Sequence, residues 1–174
     1  MKNSFLIIAL LIHMHLISLG QTHIFWGIEF GTNRDSVLKF IKETKFIVPT
    51  SQEGYQVNYT NVNWENHRAG KISLFFCDGI FCEGVISFNK PVLYTDDELM
   101  NLYVEIKNRL MEKFGMPTKS YSPNMAWKKQ DEWEYNDSSK YQSNEIAIEL
   151  STDNEVSITY ETPAFSDFLD QNKK

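Results

Sequence analysis

Histidine and cysteine, which supply most metal ligands and many nucleophiles, are nearly missing, at four and two in 174 residues. Structural zinc sites need four such ligands at short, regular spacing, and no such pattern occurs. No G-x-S-x-G turn is present, so the serine elbow of an α/β-hydrolase has no place to form. Positive charge is also scarce. There are 17 Lys and Arg against 23 Asp and Glu, a net charge of −6. Binding to phosphate backbones or anionic lipid surfaces depends on clustered Lys and Arg, so the composition argues against both as partners. Apolar runs of the roughly 20 residues that a spanning helix prefers are lacking as well.

The longest apolar run opens the chain. Lys2 supplies a basic start, Phe5 to Leu19 is mostly apolar, and Ser18 and Gly20 are small. That three-part pattern is the mark of a secretory signal peptide cut after Gly20. No cysteine follows for lipid attachment. The expected products are a signal peptide over 1–20 and one domain over 21–174, placed in the periplasm or secreted, with no integral membrane span after processing. Losing Lys2 takes the net charge from −6 to −7, and His13 and His15 go with it, leaving His23 and His67. About 154 residues remain, enough for one domain with a sizeable core.

Hydrophobic periodicity predicts an α+β chain. His23 to Phe30 reads as a first strand. Thr32 is placed to cap a helix running to about Thr44, with Val37, Leu38 and Ile41 on one face. Ser51 to Gly54 reads as a turn. Tyr55, Val57 and Tyr59 alternate, then Val62 and Trp64 alternate with the opposite parity, as one bulged strand or two short ones would. His67 to Gly70 reads as the next turn, followed by strands through Ile72–Phe76 and Val85–Phe88. The strongest element is TDDELMNLYVEIKNRLMEKFGMP. Thr95 and Glu98 match a capping box, Asp96 and Asp97 suit the helix N-terminus, and Gly115 and Pro117 stop the helix. Leu99, Leu102, Tyr103, Ile106, Leu110 and Phe114 share one face. Strands follow through Trp127–Tyr135, Ile146–Leu150 and Val156–Tyr160, then a short helix over 163–170. The pattern is two helix-plus-three-strand halves, forming a mostly antiparallel sheet with helices packed on one face.

Candidate chemistry is sparse. Cys77 and Cys82 suit a disulfide across a hairpin in an oxidising compartment; two reduced thiols are the alternative, and C-x₄-C is not a thioredoxin spacing. The Asp96–Glu98 cluster lacks calcium-loop spacing. His67 as a base, or a pair drawn from Glu132, Glu134, Glu145 and Glu149, is the remaining route to hydrolysis. No metal and no cofactor is expected. Asn58 and Asn136 begin N-x-[ST] triplets. Tyr121, Trp127, Trp133, Tyr135 and Tyr141 crowd a polar stretch. Such residues make either an exposed recognition surface or, for Trp127 and Trp133, the inward side of a strand.

FWGIEFGTNRDSVLKFIKET and LMEKFGMPT, through Phe30, Gly31, Thr32, Phe114, Gly115 and Pro117, resemble small uncharacterised exported proteins of Bacteroidetes-type bacteria. The two-halved pattern is similar to the folds of β-lactamase inhibitory protein and of the small outer-membrane-assembly lipoprotein. The resemblance implies an envelope-associated or secreted protein and carries no catalytic residue. The expected function is a protein-binding module whose partner is another envelope or extracellular protein. The rival is a small-ligand-binding protein or hydrolase with a pocket between helix and sheet.

Overall fold

A computed structural model describes residues 24–89, 94–122, 128–134, 145–151 and 155–172. The segment expected to be a signal peptide, 1–20, therefore lies outside the described residues.

The chain begins with a small hairpin, β1 (Ile24–Phe25) and β2 (Ile28–Glu29). The single strand expected over 23–30 is broken because Trp26 and Gly27 both take positive φ, 53° and 84°, as a two-residue type I′ turn requires. Helix α1 (Arg34–Thr44) follows. Its cap is Asn33, whose side chain accepts from the Ser36 N–H, one residue later than the expected Thr32.

Four meandering strands come next: β3 (Ser51–Glu53), β4 (Gln56–Trp64), β5 (His67–Cys77) and β6 (Ile80–Asn89). Then come α2 (Asp96–Phe114) and a second meander, β7 (Lys119–Tyr121), β8 (Lys129–Glu134), β9 (Glu145–Leu150) and β10 (Glu155–Glu161). Helix α3 (Pro163–Asn172) closes the described chain. All eight meander strands form one antiparallel sheet, ordered β3-β4-β5-β6-β10-β9-β8-β7. Each half is thus a helix followed by four strands, and the halves join through their last strands. The expected three strands per half become four because Ser51–Glu53 and Lys119–Tyr121, read as turn and connection, pair at the two edges.

One face of the sheet is apolar. Val57, Leu74, Ile86, Ile158, Ile148 and Ile146 project from it and are fully buried. Helices α1 and α2 cover it, contributing Val37 and Ile41, and Leu99, Leu102, Tyr103, Ile106 and Leu110. Each large side chain removed from water contributes roughly 1.5–3 kcal/mol. The capping box of α2 forms as expected, with Thr95 N–H donating to Glu98 and Glu98 N–H to Thr95 Oγ1. Gly84 leaves this face without a side chain. Phe25 fills the space, so closely that a Cβ on Gly84 would lie 2.5 Å from its ring.

The opposite face is mostly polar and carries a separate, smaller cluster. There α3 sets Ala164 and Phe165 against Phe75, Cys77 and Cys82. Cys77 and Cys82 are disulfide-bonded, with Cα atoms 5.9 Å apart. Phe75 pairs with Glu83 but Phe76 with Phe81, so Cys82 is the extra residue of a β-bulge, and the bulge turns its sulfur toward Cys77. The hairpin loop is Asp78–Gly79, both at positive φ.

Candidate functional site

The predicted aromatic surface is divided by the fold. Trp133 is 1% exposed and pairs with Ile146 on the helix-covered face. Its indole Nε1 donates to the Gly115 carbonyl at 2.9 Å. It is a core residue tying β8 to the end of α2, and its assignment to a recognition surface is corrected. Tyr121, on edge strand β7, is 57% exposed. Trp127, Tyr135 and Tyr141 lie outside the described residues. His67 opens β5 instead of lying in a turn, because the loop before it is only Glu65–Asn66, with Glu65 at φ 51°. Its Nε2 lies 3.3 Å from Glu105 Oε1 without hydrogen-bond alignment. Asn58 donates its amide to Ser51 Oγ and accepts from Gln56 and Ser73, so its side chain is occupied within the sheet.

Between α2 and strands β7 and β8 a cleft of about 330 Å³ opens beside Tyr103, Lys107, Ser120 and Asp131. At its edge lies a buried polar hub absent from the sequence expectations. Asp131, 2% exposed, accepts from the Tyr103 hydroxyl, from Lys107 Nζ at 2.8 Å and from Ser120 Oγ at 2.5 Å. Desolvation pushes its carboxyl up, but the bonds from Lys107, Ser120 and Tyr103 outweigh this and hold it below the ordinary value. Every partner is engaged with the one carboxylate, so the hub is an anchor for α2, β7 and β8. Its sequence signal is parity, since Asp131 falls on the inward side with Trp133.

The polar face carries a row of glutamates that runs out from beneath α3. Glu83 stands directly opposite Glu161, Glu161 opposite Glu145, and Glu145 opposite Glu134. Four carboxylates thus form one rung across β6, β10, β9 and β8. Adjacent strands lie about 4.8 Å apart, and like charges placed opposite one another are destabilising. Glu132 and Glu149 project from the same face nearby.

The rung changes character along its length. At the α3 end Glu83 is 7% exposed, and its Oε2 has no hydrogen-bond partner. Burial, then the charge of Glu161, pushes its carboxyl up to about 8. Glu161 accepts from Ser166 Oγ on α3 at 2.5 Å. Glu145 is also pushed up, by burial first and then by Glu161, Glu132 and Glu134. At the open end Lys119 reaches Glu134 at 2.6 Å and Glu132 at 3.6 Å. Among the described residues, no three His, Cys, Asp or Glu converge as metal ligands would. A surface row of carboxylates is electrostatically complementary to a row of cations. Lys and Arg three or four apart on a helix are spaced about 5–6 Å, close to the rung's own repeat.

A second concavity, about 530 Å³, opens where the β1–β2 hairpin, the β4–β5 turn and the end of α2 meet. Trp26, Lys45, Asn63, Trp64, Glu65 and Lys113 lie around it. Neither His67 nor the glutamate rung belongs to it. Compared with known proteins, the chain matches no family model, no curated protein and no solved structure.

Proposed function

We propose that the chain is an exported protein-binding module that docks a Lys- and Arg-bearing surface of an envelope or extracellular protein on the uncovered face of its sheet. The observation that carries this reading is the registered row Glu161–Glu145–Glu134, which runs out from the buried Glu83 across the open part of the face. Repulsion along it is an unfavourable feature of the free chain that an opposing row of cations relieves. Export is part of the proposal. Its support is the Lys2–Gly20 pattern and a disulfide of the kind that persists in oxidising compartments.

The test uses the purified protein as bait on an envelope extract of its own host. A retained protein should leave the column as salt rises toward about 0.5 M, where surface charge is screened. It should be lost when Glu134, Glu145 and Glu161 are all replaced by Gln in a variant that still melts cooperatively. Binding unchanged in that variant defeats the proposal. The intact mass of the exported chain checks the cut after Gly20.

A further inference from the structure

We propose that the cleft between the β1–β2 hairpin, the β4–β5 turn and the C-terminal end of α2 is a binding site for a small aromatic carboxylate. The proposal is independent of the glutamate rung, which lies on the other side of the sheet.

The walls are two indoles. Trp26 and Trp64 are both half-buried. Each is held in place from behind by a buried ring at near edge-to-face geometry. Tyr59 lies 5.8 Å from Trp26, and Phe88 lies 5.8 Å from Trp64. Side chains fixed in this way offer flat apolar area without an ordering penalty on binding. The cleft's volume falls within the range of small-molecule sites.

The rim is cationic in a chain whose net charge is −6. Lys45 and Lys113 both line the cleft. Their ammonium groups rest on rings, Lys45 over Trp26 at 5.3 Å and Lys113 over Phe114 at 4.9 Å. Neither has an ion pair among the described residues. Glu65, the one carboxylate at the rim, is engaged by Arg109 at 2.5 Å. Desolvation lowers the Lys113 ammonium, and Glu65 only partly restores it, so an entering anion meets a cation short of compensation. Tyr160 also lines the cleft, and burial keeps its phenol protonated as a donor.

An aromatic ring would lie between the indoles, with its carboxylate toward Lys45 and Lys113.

The probe is 2-naphthoate, titrated by calorimetry into the purified protein, with 2-naphthalenemethanol as the uncharged analogue and inorganic phosphate as the ring-free anion. Saturable binding of naphthoate is expected, with both controls weaker by about tenfold or more. Lys45→Met with Lys113→Met, which keeps the apolar stems, should weaken naphthoate by about tenfold while leaving the melting temperature close to wild type. No saturation by about 5 mM, equal binding of phosphate, or affinity unchanged in the double variant would each overturn the proposal. Glu134→Gln with Glu145→Gln, on the far face, should leave naphthoate binding unaltered.

Discussion

Glu83 shows how one side chain comes to depend on its neighbours. Its ordinary carboxyl value is 4.5, and beneath α3, opposite Glu161, it rises to about 8. Between those values the folded chain keeps a proton that the unfolded chain has released. Stability from this group is therefore present in full below about pH 4.5, falls as pH climbs toward 8, and levels off above that. Glu83→Gln is neutral at every pH and removes the slope. Urea unfolding should show little change at pH 4.5 and a gain on the order of 5 kcal/mol at pH 8.5. A gain of equal size at both values would mean that packing, not ionisation, is responsible. Glycines make the same point about neighbours. Gly70 looks like turn punctuation in sequence, yet it lies inside β5, where a Cβ would fall 2.2 Å from Asn89 Oδ1. What lies against it there is the tip of a flexible side chain nineteen positions away, which no local pattern announces.

Elements whose signals are local were legible, and those defined by pairing were less so. Helix α2 carries its start, stop and buried face in consecutive residues; of the expected face Leu99, Leu102, Tyr103, Ile106 and Leu110 are buried, and Phe114 packs against the core partly buried. The parity switch in β4 was also readable. Val57, Tyr59 and Val62 are buried, with Asn61 at φ 53° between the two phases. Both short edge strands escaped, because three polar residues have no periodicity of their own. The carboxylate rung escaped for a related reason. Glu134 and Glu145 stand in the sequence only among four glutamates from which a pair could be drawn, and their alignment with Glu161 and Glu83 exists only once β8, β9, β10 and β6 pair. The β5–β6 hairpin shows how a local feature sharpens a distant one, since its bulge delivers Cys82 to Cys77 beside α3. Closing so short a ring restricts the unfolded chain modestly. Replacing both cysteines by serine should cost about 2 kcal/mol in urea unfolding, with the loss greatest in amide protection of α3. A chain that binds two equivalents of a thiol reagent while native would refute the bond.

At the scale of the molecule, two helix-plus-four-strand halves meet along the β6–β10 seam, where seven residue pairs are in register from Glu155–Asn89 to Glu161–Glu83. The seam joins segments far apart in sequence, so it forms late and is held by everything around it. Hydrogen exchange should therefore find β6 and β10 opening only with global unfolding, and β3 and β7 opening by local fluctuation. Slow exchange confined to one half would show that the halves unfold separately. The sheet does not close on itself, and its two ends are β3 and β7, three residues apiece. β3 covers only residues 56–58 of the longer β4, so the outer edge over 59–64 has no strand partner among the described residues and is interrupted by the positive φ of Asn61. A kink of this kind makes an edge harder for an incoming chain to copy and guards the free molecule against fibrous stacking. A partner lying across the sheet's breadth would read side chains instead.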